Sequence, residues 1–315
     1  VLAFLLAHSC PGVEPIPLEA DDFGDNIRRV FADDQQADVR ILFGYEDSKE
    51  FEDPWDPLRA ENLTAYLLPH GFNNVPITPA LAEELGVPAS APNLRVLRGP
   101  GMPGQTLRVA IMWSAASSKT AHNIGGGSNE QMRRSAEALR FLQKSATDAE
   151  VHIYLGHSRA GGGPDTFPPM IRPQFGFRRQ KVDYSYYRDS LPGLSALRRC
   201  FKVSLEKPMI IAWTGCDSER HFRHWFADQL AEKRHLTSLL LSTRLAYRDP
   251  LQKTIEGRDE GLMATIRLIE ALRQHQTGGA FRENLQVCEM EVRRKADKPL
   301  WKLLTIPPGD PTKPR

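Results

Sequence analysis

Four short apolar runs in the second half of the chain alternate with stretches whose apolar residues recur at helical spacing. The runs are Leu107–Trp113, Val151–Gly156, Pro208–Trp213 and Thr237–Ser242, each of a length that suits a buried strand. Between the first two, Ser128–Gln131 forms a capping box, and Met132, Ala136, Leu139 and Leu142 are expected on one face of the helix that follows. After the third run, Phe222, Phe226 and Leu230 share a helical face. Leu262, Ile266 and Ile269 mark a closing helix after the fourth. Strands separated by amphipathic helices predict right-handed crossovers. The expected fold is therefore α/β, with a mostly parallel sheet of at least four strands and helices on both faces. In such a sheet the chemistry sits beyond the carboxyl ends of the strands.

Upstream the pattern is weaker. Residues 11–105 are rich in Pro and acidic residues and read as an irregular N-terminal accessory region. It holds a short strand, Val39–Phe43, and a loop at Glu50–Pro57. Thr78–Leu85 reads as a helix, with Thr78 as N-cap and Pro79 at the first helical position. Gly99–Gly104, which holds three glycines and two prolines, is the candidate linker into a regular domain spanning residues 106–276. Residues 277–315 are expected as a C-terminal extension ending in the Pro-rich tail Ile306–Arg315. At the other end, the seven apolar residues Val1–Ala7 read as the tail of a signal-peptide apolar region, with Ser9–Cys10 as a bacterial lipoprotein cleavage site. On that reading the protein is exported, periplasmic or lipid-anchored through Cys10. The alternative is a frayed N-terminus or a short buried strand, in a protein that stays cytoplasmic.

Composition removes several classes of function. The 315 residues are 41% hydrophobic and 25% charged, enough for one large core or two modest ones. Lys plus Arg total 41 against 39 Asp plus Glu, and a net charge of +2 gives no electrostatic reason to expect nucleic acid. No apolar run approaches the roughly 20 residues of a membrane-spanning helix. Four cysteines without a CxxC pair point to neither a disulfide scaffold nor a zinc site, although Cys200 and Cys288 could pair in an exported protein. His221 and His224 share a helical face near Cys216, but on a helix rich in Arg and Asp they are expected to be exposed rather than metal-bound. Trp113–Thr120 lacks both glycines of a phosphate loop. No metal or organic cofactor is expected.

Two strand ends carry reactive side chains: Gly156-His-Ser-Arg-Ala160, leading into a Gly- and Pro-rich stretch, and Thr214-Gly-Cys-Asp-Ser218. Gly156–Ala160 has the look of a serine-hydrolase nucleophile elbow, with Ser158 as nucleophile, Asp217 as acid and His221, His235 or His275 as base. An elbow serine must be followed at once by a helix. Three glycines and four prolines between Arg159 and Pro173 make this stretch a loop instead. The stronger reading pairs His157 with Cys216, each at the end of a buried strand of one sheet. A thiol attacks as thiolate, with a free pKa of about 8.5. A helix starting after Cys216, with Asp217 or Ser218 as its cap, would favour the thiolate through its dipole. His157 can take the thiol proton and return it to a leaving amine. Asp165 could orient His157 across the loop, Arg159 could hold a substrate carboxylate, and Ser158 and Gly215 flank the pair as orienting or substrate-binding positions.

A hydrophobic strand ending in His, followed by one ending in a small residue and Cys, resembles the caspase-fold cysteine peptidases, the group of caspases, gingipains and legumain. The blocks are Val151–His157 and Pro208–Cys216, with Ser242–Leu245 where that fold has its substrate-pocket strand. The resemblance covers roughly residues 105–275. It implies that residues 106–276 are the catalytic domain, that the fold is a three-layer sandwich, and that the substrate is a peptide or protein. Members of that group usually have Gly directly after the His, where its N–H assists the oxyanion; here the residue is Ser158. A catalytically inactive caspase-fold module that binds peptides or partners is the non-enzymatic alternative.

Overall fold

The computed structural model describes residues 22–46, 54–123, 128–172, 181–203, 207, 209–232, 236–243, 259–292 and 300–305. In chain order the elements are α1 (Asp22–Arg29), β1 (Gln36–Phe43), α2 (Asp56–Leu67), β2 (Asn73–Asn74), α3 (Pro79–Glu84), β3 (Leu94–Pro100), β4 (Thr106–Trp113) and α4 (Thr120–Asn123). There follow α5 (Ser128–Asp148), β5 (Val151–Leu155), α6 (Tyr184–Ser190), α7 (Pro192–Leu197), α8 (Cys200–Val203) and β6 (Met209–Trp213). Then come α9 (Ser218–Gln229), β7 (Thr237–Ser242), α10 (Glu260–Gln274), α11 (Gly278–Val292) and β8 (Trp301–Thr305). The strands form one eight-stranded sheet in the order β2-β3-β4-β1-β5-β6-β7-β8. The five central strands, β4 to β7 in that order, run parallel; β3 and β8 pair antiparallel to their inner neighbours.

Alternation along the strands sorts the core into two layers. Val39, Ile41 and Phe43 of β1 and Val151, Ile153 and Leu155 of β5 face Phe23, Leu63, Ile266 and Leu272 from α1, α2 and α10. Leu42, Tyr154, Ile211 and Trp213 face the other way, onto Phe141, Leu197, Phe201, Phe222 and Phe226 from α5, α7, α8 and α9. The chain is thus a three-layer α/β sandwich. Thr78 Oγ1 accepts the Leu81 N–H (3.2 Å) at the start of α3, the expected cap.

Several expectations need correction. Residues 11–105 are not an accessory region beside the sheet: β1 is a central strand, paired with β4 on one side and β5 on the other. Gly99 and Pro100, expected in a linker, end β3 and pair with Leu107 and Thr106. Asp56 and Pro57, expected in a loop, open α2. The C-terminal extension is no appendage either, because β8 pairs with β7 and Phe281 and Leu285 of α11 join the core. Helix α5 is rotated from its expected face. Met132 is half-exposed, while Gln131 and Ser135 are buried because the Gln131 side chain bonds the Ser114 carbonyl (2.9 Å), the Ala116 N–H (2.8 Å) and Ser135 Oγ (2.9 Å). A polar residue with every partner supplied sits inside as readily as an apolar one. Cys10 and the Pro-rich tail lie outside the described residues. No helix among the described residues is long and apolar enough to cross a membrane.

The carboxyl end of β4 is closed by Asp56, whose carboxyl accepts the N–H groups of Ser114 (2.9 Å) and Ala115 (2.6 Å). Complete burial pushes it up to about 8, outweighing those two bonds and Arg59. An Asp with a raised native pKa holds its proton in the folded state where the unfolded chain has lost it. Its contribution therefore makes stability fall as pH rises from about 4 to 8. Asp56→Asn is expected to flatten that fall, read as urea midpoints of variant and wild type between about pH 5 and about pH 8. Parallel midpoint curves would count against a neutral Asp56.

Candidate active site

Strands β5 and β6 are adjacent and parallel, with Tyr154 opposite Trp213. His157 and Cys216 each lie three residues further on, so they occupy equivalent positions where the two chains leave the sheet. The ladder continues past the strands: the Thr214 N–H donates to the Tyr154 carbonyl (3.0 Å). Gly215 then allows the two chains to touch. A Cβ there would fall 2.7 Å from both the Gly156 carbonyl oxygen and Ser158 Oγ, so only glycine fits. Gly215 is a spacer that holds the Cys216 turn against the His157 turn. Both His157 and Cys216 are half-buried, and Cys216 is in no disulfide.

The Cys216 turn is clamped to the end of β7 by two fully buried serines. Ser218 Oγ donates to the Trp213 carbonyl (2.5 Å) and Ser242 Oγ donates to the Gly215 carbonyl. In return each hydroxyl accepts the backbone N–H of the other residue, at 3.1 Å for Ser218 N–H and 2.8 Å for Ser242 N–H. Neither Asp217 nor Ser218 caps α9 in the expected way. Asp217 has φ 51° and makes no side-chain cap bond, and the Ser218 hydroxyl is spent on Trp213. Cys216 nevertheless stands two residues before the first turn of α9, on the positive side of its dipole.

The His157 turn is followed by a 3-10 turn over Arg159–Gly161, with Arg159 and Ala160 at positive φ (43° and 53°), and by no α-helix before Tyr184 among the described residues. The elbow geometry is therefore absent. Ser158 is 4% exposed, and its Oγ lies buried against Gly215 without a hydrogen-bond partner among the described residues. Arg159 does not face solvent for a substrate carboxylate. Its Nε donates to Asp165 Oδ2 (2.7 Å), and its guanidinium stacks over the Tyr187 ring at 5.8 Å. Asp165 is buried beside Arg159 and receives a weak bond from Tyr187 Oη (3.4 Å). Burial raises its pKa, opposed by Arg159 and by the nearby charge of His157. Asp165 thus lies within electrostatic reach of His157 and also holds the Arg159 guanidinium by a hydrogen bond.

The sequence reading missed Tyr154, Tyr187, Ser218 as clamp and Ser242. A polar-tipped residue inside an aliphatic strand was the one available signal for Tyr154, and the clamp partners are 24 positions apart. His221 is half-buried with Nδ1 about 3.5 Å from where a Gly161 Cβ would stand, and His224 is exposed. Among the described residues no group of three His, Cys, Asp or Glu is placed to hold a metal ion. Cys200 is a free thiol whose pKa burial raises; His235 and the Cys288 side chain lie outside what is described. Comparison with protein-family models, curated proteins and solved structures finds no match to this chain.

Proposed function

We propose that this protein is a cysteine peptidase of the caspase-fold type, with Cys216 as nucleophile and His157 as general acid and base. The observation that carries the reading is the shared register of β5 and β6, joined by the contact of Gly215 with Gly156 and Ser158. His157 takes the thiol proton, and the sulfur adds to the scissile carbonyl carbon to form a tetrahedral oxyanion. Collapse breaks the C–N bond as His157 gives the proton to the leaving amine. Water, deprotonated by His157, then cleaves the thioester and restores the thiol. A peptide or protein is the substrate, and the chemistry of the pair requires no cofactor. Hydrolysis through Ser158 has less support, since its hydroxyl is buried and only a short 3-10 turn, not an α-helix, follows it directly.

The test uses a protein in which Cys10, Cys200 and Cys288 are replaced by Ser. Iodoacetamide should alkylate Cys216 near neutral pH at least about tenfold faster than a free peptide cysteine, whose thiolate fraction there is a few per cent. His157→Ala should remove that excess. A slow thiol indifferent to His157 would refute the dyad. A reactive, coupled thiol without peptide turnover would favour the binding module.

A further inference from the structure

The stretch from His157 to Asp165 begins and ends on one hydroxyl. Tyr154 Oη donates to the His157 carbonyl (3.0 Å) and accepts the backbone N–H of Asp165 (2.8 Å). The side chain is fully buried, and burial pushes its ionisation above the ordinary tyrosine range, so the hydroxyl remains a donor. Two glycines make room for it. A Cβ at Gly44 would lie 2.6 Å from Tyr154 Cε2 and 2.7 Å from Oη, and one at Gly156 would collide with the same hydroxyl. Gly44 follows β1 and Gly156 follows β5, so the hydroxyl sits where two strand ends and both ends of the loop converge. The Tyr45 N–H closes the arrangement by donating to the Asp165 carbonyl (3.0 Å).

We infer that Tyr154 is the positioning residue for His157, its hydroxyl fixing the backbone that carries the imidazole opposite Cys216. This deepens the dyad reading and rests on it. Tyr154 touches no reacting atom. It acts by holding the His157 carbonyl, at a point of the loop that belongs to neither helix nor strand. Misplacement of a catalytic group by a fraction of an ångström to an ångström costs up to about a hundredfold in rate.

Tyr154→Phe keeps the ring and removes only the oxygen. In the protein with Cys216 as its single thiol, it should slow iodoacetamide alkylation near neutral pH by about three- to thirtyfold. The rate at alkaline pH, where the thiolate needs no partner, should be unchanged. In a His157→Ala background the same substitution should do nothing more, because its effect passes through the imidazole. Ser145→Ala, which breaks a buried bond to His152 within the same core layer, controls for general destabilisation and should leave the profile alone. Gly44→Ala disturbs the clasp without removing the hydroxyl and should reproduce the slowing if Tyr154→Phe does not fold. Superimposed wild-type and Tyr154→Phe profiles, with His157→Ala still slow, would overturn the role of Tyr154 and leave the dyad standing. So would equal slowing with and without His157. If His157→Ala itself changes nothing, the dyad and this inference fall together.

Discussion

With Cys216 as the proposed nucleophile, Cys216→Ala is expected to lower kcat/KM for peptide hydrolysis by about three orders of magnitude or more. His157→Ala should cost nearly as much, and the double variant hardly more than either alone, because nucleophile and base act as one unit. Ser158→Ala should change the rate by less than about tenfold, its buried hydroxyl being outside the proposed proton path. The measurement is steady-state hydrolysis of a fluorogenic peptide library by the wild type and these four variants, with folding checked by circular dichroism. Loss of turnover in Ser158→Ala with retention in Cys216→Ala would move the chemistry to the serine. Turnover untouched by any of them would remove both readings.

That the two strand ends could be picked out of the sequence, while their supports could not, has a physical reason. A parallel strand covered on both faces is mostly apolar, so β5, β6 and β7 announce themselves, and reactive residues at their ends stand out by contrast. The first strand, β1, gives a mixed signal, because Asp38 and Arg40 lie within it. They sit inside because Arg40 pairs with Asp38 (2.7 Å) and Glu84 (3.3 Å), and Asp38 pairs with Arg108 as well (3.1 Å). A strand's neighbours are likewise not written in its own residues: nothing in Val39–Phe43 says that it pairs with both Val109 and Val151. The same limit applies to the site. Gly215 reads as a small residue before a cysteine, and its reason appears only when Gly156 and Ser158 come up against it. Asp165 and Arg159 were legible as polar loop residues near His157. Their pairing with each other, which takes Arg159 away from substrate, depends on a loop conformation with two residues at positive φ that no sequence pattern encodes.

Arg59→Met is expected to destabilise the fold by about 3–5 kcal/mol, the cost of breaking a buried ion cluster by removing one partner. The Arg59 side chain is 3% exposed and binds Asp259 through two bonds, Nε to Oδ2 (2.5 Å) and Nη2 to Oδ1 (2.8 Å), with Nη1 on Glu46. The cluster fastens three segments: the chain leaving β1 at Glu46, whose carbonyl also accepts the N–H of Trp55 at the start of α2 (2.7 Å), helix α2 at Arg59, and the start of α10, where Asp259 also accepts the Leu262 N–H (2.9 Å). Removing the cation leaves two carboxylates, at 1% and 14% side-chain exposure, without the charge they share. Urea unfolding near neutral pH should show the midpoint falling with little change in slope. Adding Glu46→Gln to Arg59→Met should recover part of the loss, because one of the stranded charges is then neutral. A loss below about 1 kcal/mol would mean that water reaches the carboxylates, as at a surface pair. The cluster also adjoins the candidate site. Gly261 lies between Arg59 and Thr214, a Cβ there falling 3.0 Å from Nη2 and 3.2 Å from Oγ1, and Thr214 precedes Cys216 by two residues. A rearrangement at Arg59 therefore has a short path to the Cys216 turn, and the alkylation rate of Arg59→Met, measured while it is still folded, reads that path directly.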